Sequence, residues 1–213
     1  MSGTCRVGVI GDLHCEDQRL SEALRVLGDE SVDLLAQVGD IVDGLGDVDR
    51  CISLLQHWDV KTVRGNHERW FMDGHRREKP GATQSMADSS RAFLANLETT
   101  HRVSREGGDL LFCHGVGDDD MVFLRSDTRG YDLQAVMPAL VPLMVDTALR
   151  YVIAGHTHER MVRDFEDIVV INAGTLHDNG PPGFILVDFD AGHVRCWDFD
   201  GVTPREVAPQ PLP

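Results

Sequence analysis

The chain has 213 residues, 42% hydrophobic and 26% charged, a length and balance suited to one folded domain with a substantial core. Its net charge of −15 lacks the basic footprint of broad nucleic-acid binding, so a nucleic-acid polymer is not the expected partner. With no run of about 18 apolar residues and no basic, apolar leader at the start, neither a membrane span nor a secretory signal is expected, and the cytoplasm is the expected location.

Apolar, β-branched runs recur along the chain, and each ends in small or acidic residues. Residues 6–10 read as a buried strand followed by Gly11-Asp12. Residues 20–27 read as a helix with Leu20, Leu24 and Leu27 on one face. Residues 32–38 are a second strand, followed by Gly39-Asp40. Residues 48–56 are helical, with Val48, Ile52 and Leu55 aligned, and 60–63 form a third strand ending at Gly65-Asn66. This alternation predicts a largely parallel sheet in the N-terminal half, with ligands at the carboxyl ends of its strands.

The polar stretch 68–90, with Gly74, Pro80 and Gly81, reads as a loop or lid, followed by a helix around 89–97. A strand over 110–113 ends at His114. Residues 133–149 read as a helix interrupted near Pro138 and Pro142. A strand over 151–154 ends at Gly155-His156. Short segments at 161–165, 168–171, 183–188 and 194–199 predict mostly antiparallel β-structure. The expected domain is 1–207, with 208–213 a proline-rich, extended and weakly held tail. The five cysteines form no CxxC pair, so they read as reduced and packed.

Five clusters fall at these strand ends: Asp12-Leu13-His14, Gly39-Asp40-Ile41-Val42-Asp43, Gly65-Asn66-His67-Glu68, His114-Gly115 and Gly155-His156-Thr157-His158. Alone, each reads as a turn, a helix cap or a core histidine. Together, in this order and each after an apolar strand, they point to a metal site. Asp12 and His14 are two apart and share one side of an extended chain, as do His156 and His158. Mixed Asp, His and Asn donors suit borderline divalent cations better than Ca²⁺.

In these blocks, which follow the pattern DxH, GDxxD, GNH[DE], H and GHxH across residues 12–158, the sequence resembles the calcineurin-like metallophosphoesterase superfamily. The resemblance implies an α/β fold, a four-layer αββα sandwich of two central sheets flanked by helices. It implies two divalent cations, Mn²⁺ first, with Fe, Zn, Co or Ni as alternatives. One takes Asp12, His14, Asp40 and His158; the other takes Asp40, Asn66, His114 and His156. Asp40 bridges them, and a shared anion offsets the repulsion of cations about 3.5–4 Å apart. A hydroxide held by both metals then attacks phosphorus. By the same resemblance His67 lies near the leaving-group oxygen, and Asp43 holds a ligand imidazole from behind. Glu68 either does likewise or pairs with a nearby arginine.

The implied function is hydrolysis of a small phosphate ester, a phosphomonoester or phosphodiester, including nucleotides. Arg64-Gly65-Asn66-His67-Glu68 is also similar to serine/threonine protein phosphatases and diadenosine-polyphosphate hydrolases. Those close the second block with Asp-Arg-Gly, whereas this chain has Asp43-Gly44-Leu45. A metal-stabilised scaffold is the non-enzymatic alternative. Asn172-Ala173-Gly174-Thr175 resembles the NPGS segment of small phosphodiesterases, or is a turn. Arg64, Asn66 and His67 are the expected substrate contacts. Arg69, Trp70 and Phe71 are a candidate wall for an aryl group or base, and Asp118–Asp120 either border the pocket or turn away into solvent.

Overall fold

The computed structural model describes residues 5–213. The first half alternates as expected. Strand β1 (Arg6–Ile10) leads into helix α1 (Asp17–Asp29), β2 (Leu34–Gln37) into α2 (Val48–His57), and β3 (Lys61–Thr62) into α3 (Asn66–Met72). Helix α4 (Asp88–Ala95), strands β4 (Thr100–Val103) and β5 (Asp109–Cys113), and helix α5 (Gly130–Met144) follow. The last six strands are β6 (Leu149–Ala154), β7 (Arg160–Asp164), β8 (Val169–Ala173), β9 (Gly183–Asp188), β10 (His193–Asp200) and β11 (Thr203–Pro211).

These strands form two sheets. The first runs β11-β10-β9-β1-β2-β3 and the second β4-β5-β6-β8-β7. Strands β1, β2 and β3 are parallel, and β9 joins antiparallel to β1. Alternation along β1 sends Val7 and Val9 into the core between the sheets, with Phe112, Ile153 and Val187. Ile10 instead packs with Leu20 and Leu24 of α1 and Ile52 of α2. On the far side, Val136 and Leu140 of α5 pack on Val152 and Val170. Helices, sheet, sheet and helix therefore make the four expected layers.

Three expectations need correction. Residues 66–72, partly assigned to the lid, form α3, because Glu68 at its third position receives the Gly65 N–H and closes the first turn. Helix α5 runs unbroken through Pro138 and Pro142. Both prolines are exposed, and the carbonyls they free, at Gln134 and Pro138, lie on that exposed side. The C-terminal half is mostly antiparallel as expected, through β7–β8, β9–β10 and β10–β11, with β8 also pairing parallel with β6. Finally, the tail is held. Strand β11 pairs with β10 from Asp200–Thr203 to His193–Pro211, with a bulge where Pro209 has no N–H to give. Val207 and Leu212 pack against the core between the sheets.

Removing residues 203–213 is expected to cost on the order of 2 kcal/mol from lost apolar burial alone. The thermal midpoint should fall by roughly 4–8 °C. An unchanged midpoint in a melting experiment would show that the strand contributes nothing.

Candidate metal centre

The carboxyl ends of β1, β2, β3, β5 and β6 meet on one edge of the sandwich. The chain turns sharply there, and several residues take left-handed backbone: His14 (φ 44°), Asp40 (φ 55°), Asp43 (φ 67°), His156 (φ 69°) and His158 (φ 60°). Non-glycine residues in this region cost on the order of 1–3 kcal/mol each and cluster where function requires them. Two glycines make room: a Cβ on Gly65 would lie 2.3 Å from Asp40 Oδ1, and one on Gly155 would lie 2.3 Å from Asp12 Oδ1.

All seven expected ligands come together. Asp12, His14, Asp40 and His158 present donor atoms within 4.8 Å of one another, as do Asp40, His114 and His156. Asp40 belongs to both groups. Its Oδ2 lies 3.3 Å from His114 Nε2 and 3.9 Å from His14 Nε2. Asn66 completes the second group, with Oδ1 2.9 Å from His114 Nε2.

The tautomers show what the groups fit. His14 Nδ1 donates to the carbonyls of Val42 and Asp43, 3.1 and 3.0 Å away. His158 Nδ1 donates to Asn179 Oδ1 at 2.6 Å, and His114 Nδ1 to the Val38 carbonyl at 2.7 Å. With Nδ1 protonated in each ring, each Nε2 presents a lone pair. Those of His14 and His158 face each other across 3.3 Å, and Asp12 Oδ2, buried without a hydrogen-bond partner, lies 2.8 Å from His158 Nε2. His114 Nε2 faces Asn66 Oδ1 and His156 Nδ1, the latter at 3.1 Å. Converging lone pairs with no donor between them suit a cation. Burial works against charge on His114, but with no cation present Asp40 prevails and pushes its pKa up to about 10, so a bound cation would take the place of the Nε2 proton. Burial, aided by the neighbouring His114, pushes His156 down to about 4.

Glu68 is the residue that sequence reasoning left unresolved. It is fully buried and pairs with no arginine. Its carboxylate accepts backbone N–H groups from Asp40 (2.8 Å), Ile41 (2.6 Å), Val42 (3.1 Å) and Gly65 (2.8 Å). The signal was present as a glutamate three residues after the helix-capping glycine. Asp43 holds the imidazole of the candidate ligand His14 through its carbonyl, while its side chain holds that of His67, whose Nδ1 donates to Asp43 Oδ2 at 2.7 Å. Arg77 and the Thr83 N–H also donate to Asp43. Burial opposes the charge on Asp43, but these bonds hold its pKa at about 2. Burial also disfavours a charged His67, yet Asp43 and Asp40 raise its pKa above the usual value.

Other sequence readings separate here. Asn172, Gly174 and Thr175 brace the β1 end: Gly174 O accepts the Asp12 N–H, and Thr175 Oγ1 donates to Asp12 O. Trp70 lines the cleft beside His67, but Phe71 is buried in the core and Arg69 pairs with Asp120. Asp118 and Asp119 lie away from the cleft. Arg64 does not line it either. That residue sits at the end of β3, with its N–H on Glu98 O and its Nε buried without a hydrogen-bond partner. The thiols of Cys15 and Cys113, pushed up to about 12 by burial, are inert packing groups.

The cleft has two lobes, of about 410 and 480 Å³. They share His67, Trp70, Arg76, Lys79, His158 and Asn179. The Arg76 guanidinium lies 4.0 Å from the Trp70 ring centroid.

The family described as the calcineurin-like phosphoesterase superfamily domain matches residues 5–192. The chain belongs to that superfamily. Among curated relatives, it is 37% identical over 68 residues to serine/threonine-protein phosphatase 1 of Salmonella typhimurium. That match covers 32% of each chain, so the chain spans about a third of that relative's length. A hypothetical protein from Pyrococcus horikoshii OT3 has the same fold, with a TM-score of 0.74, 15% identity, and 92% of this chain and 89% of that one covered. A metallophosphoesterase from Sphaerobacter thermophilus superposes with a TM-score of 0.63 at 20% identity, covering 96% and 89%. The chain is thus a member of the calcineurin-like phosphoesterase superfamily with candidate metal-ligand groups at the sheet edge. No helix among the described residues is long and apolar enough to cross a membrane.

Two measurements test the site. Replacing Glu68 by glutamine turns an amide N–H₂ toward two backbone N–H groups, at roughly 1–3 kcal/mol for each stranded donor. The thermal midpoint should drop by roughly 5–20 °C, and a neutral substitution would remove Glu68 from its bracing role. Conversely, Mn²⁺ at about a hundred times its dissociation constant should add about 2.7 kcal/mol and raise the midpoint of chelator-stripped protein by roughly 5–10 °C. If the midpoint does not move, the ligand groups hold no Mn²⁺.

Proposed function

We propose that this protein hydrolyses a small phosphate ester, monoester or diester, at a centre of two divalent cations sharing Asp40. The observation that carries this reading is the pair of donor groups meeting at Asp40 Oδ2, with the Nε2 lone pairs of His14, His114 and His158 turned inward. Asp12, His14, Asp40 and His158 would hold one cation, and Asp40, Asn66, His114 and His156 the other. Mn²⁺ is the first choice, with Fe, Zn, Co or Ni as alternatives suited to the same donors. When bound, such cations polarise phosphoryl oxygens and lower the pKa of water.

The protein's own groups supply the rest. His67 is not in either ligand group, and its Nε2 lies 3.9 Å from Asp40 Oδ2 at the cleft floor. Asp43 fixes the opposite nitrogen. His67 is thereby oriented to give a proton, or a hydrogen bond, to the departing ester oxygen. Arg77 pairs with Asp43 while His67 keeps its own bond to Asp43 Oδ2, so orientation is kept while excess negative charge near the phosphate is reduced. Arg76, Lys79 and, in one lobe, Arg125 give the cleft positive charge in an otherwise acidic chain. The similarity to the Salmonella protein phosphatase favours phosphoserine or phosphothreonine peptides as the second substrate class.

The test is hydrolysis of an aryl phosphate monoester, a bis-aryl diester and a phosphoserine peptide in Mn²⁺. Wild type should turn over at least one, and Asp40→Asn none. His67→Ala should lower kcat about 10²- to 10³-fold while bound manganese stays constant. If Mn²⁺-loaded wild type cleaves none of the three, the hydrolase reading fails.

A further inference from the structure

One imidazole of the cleft has no place in the ligand groups or in the His67–Asp43 pair. His177 lines the smaller, 410 Å³ lobe together with His14 and His158. Its ring centroid lies 5.4 Å from that of His14, nearly perpendicular to it. His67 approaches the same His14 ring at 4.9 Å. A candidate ligand is thus flanked by two imidazoles that belong to neither ligand group.

The tautomer of His177 is set by its own backbone. The Asn179 N–H donates to His177 Nδ1 at 3.1 Å, so Nδ1 carries the lone pair and Nε2 the proton. This is the reverse of His14, His114 and His158, whose Nε2 atoms are bare. The ring is therefore built as a hydrogen-bond donor into the cleft, where those three present acceptors.

The loop that carries it is firmly held. Leu176 donates its N–H to Asp12 O at 2.8 Å, and the His177 N–H is taken by Thr175 Oγ1 at 2.9 Å. Arg19, only 8% exposed, spends its guanidinium on the residues either side: Nη1 donates to Leu176 O at 2.7 Å and Nη2 to Asp178 Oδ1 at 2.6 Å. A buried arginine is costly to desolvate, and the residue that these bonds fix between them is His177.

We propose that His177 positions the substrate by donating its Nε2–H to a non-bridging oxygen of the bound phosphate. This rests on the phosphoesterase reading above. A donor from the β8–β9 loop would hold the phosphoryl group while His67 serves the departing oxygen.

The test uses full-length, Mn²⁺-loaded wild type, His177→Ala and His177→Asn. Three quantities are read: KM and kcat for whichever ester wild type hydrolyses, inorganic phosphate binding by calorimetry, and manganese content. His177→Ala should weaken phosphate binding and raise KM in parallel, about tenfold, as for one hydrogen bond to a charged group. Manganese content should stay constant, and kcat should change much less than KM. His177→Asn, which keeps an N–H donor, should recover part of the loss. Unchanged phosphate binding in His177→Ala overturns the proposal, and so does loss of manganese, which would make His177 a support of the ligands. If wild type hydrolyses no ester, the functional reading falls separately, and phosphate binding to the loaded proteins still decides the role of His177.

Discussion

The Glu68 carboxylate gathers four backbone N–H groups from the loops after β2 and β3, and the placement of Asp40 follows from that one cluster. Asp40 sits in left-handed backbone, which a non-glycine residue does not hold unaided. Its N–H and those of the next two residues would be stranded in the turn were Glu68 not there to receive them. Burying a carboxylate is expensive in isolation, but here both oxygens are saturated by donors. The same bonds seat the first turn of α3, and hence Asn66 and His67. Asp40 Oδ1 in turn receives the His67 N–H at 2.9 Å, which leaves Oδ2 as the oxygen shared by the two ligand groups.

A second layer of bonds acts on the imidazoles. Carbonyls of Val38, Val42 and Asp43, with the Asn179 amide, choose which nitrogen of each ring is bare. None of these partners is a ligand, and three of them act through backbone carbonyls, a role that side-chain identity does not record. The ligands, by contrast, were legible in sequence because each must follow an apolar strand and lie beside a small residue. The parallel β1–β2–β3 core and the four layers were legible for the same reason: period-two and helical spacings alternate plainly there. Side-chain reach was not. Trp70 and Phe71 are adjacent in sequence, yet one walls the cleft and the other enters the core. Arg64 precedes the third block but is turned away from the cleft its neighbours line. The parallel pairing of β6 with β8, across the intervening β7, depends on long-range register that no local pattern carries.

Charge is distributed with the same economy. The chain is strongly acidic, and arginines such as Arg6, Arg102 and Arg195 are engaged by carboxylates away from the cleft. Within the cleft Arg76 lies over an indole instead, which keeps its charge uncancelled and occupies the ring face that an aromatic substrate group would otherwise stack on. Anion recognition through Arg76 and Lys79 is therefore better served by this wall than base stacking.

The proline-bearing outer strand has a consequence of another kind. β11 is the edge of the six-stranded sheet, and Pro204, Pro209 and Pro211 lie within its nine residues. At these positions the backbone has no N–H, and the bulge between Val207 and Gln210 breaks the regular repeat. At the opposite edge β3 is only two residues long. A second molecule seeking to extend the sheet would find few successive donors on either side. Both borders are thus poor templates for strand-by-strand growth into fibrils, a protection that matters most at high protein concentration.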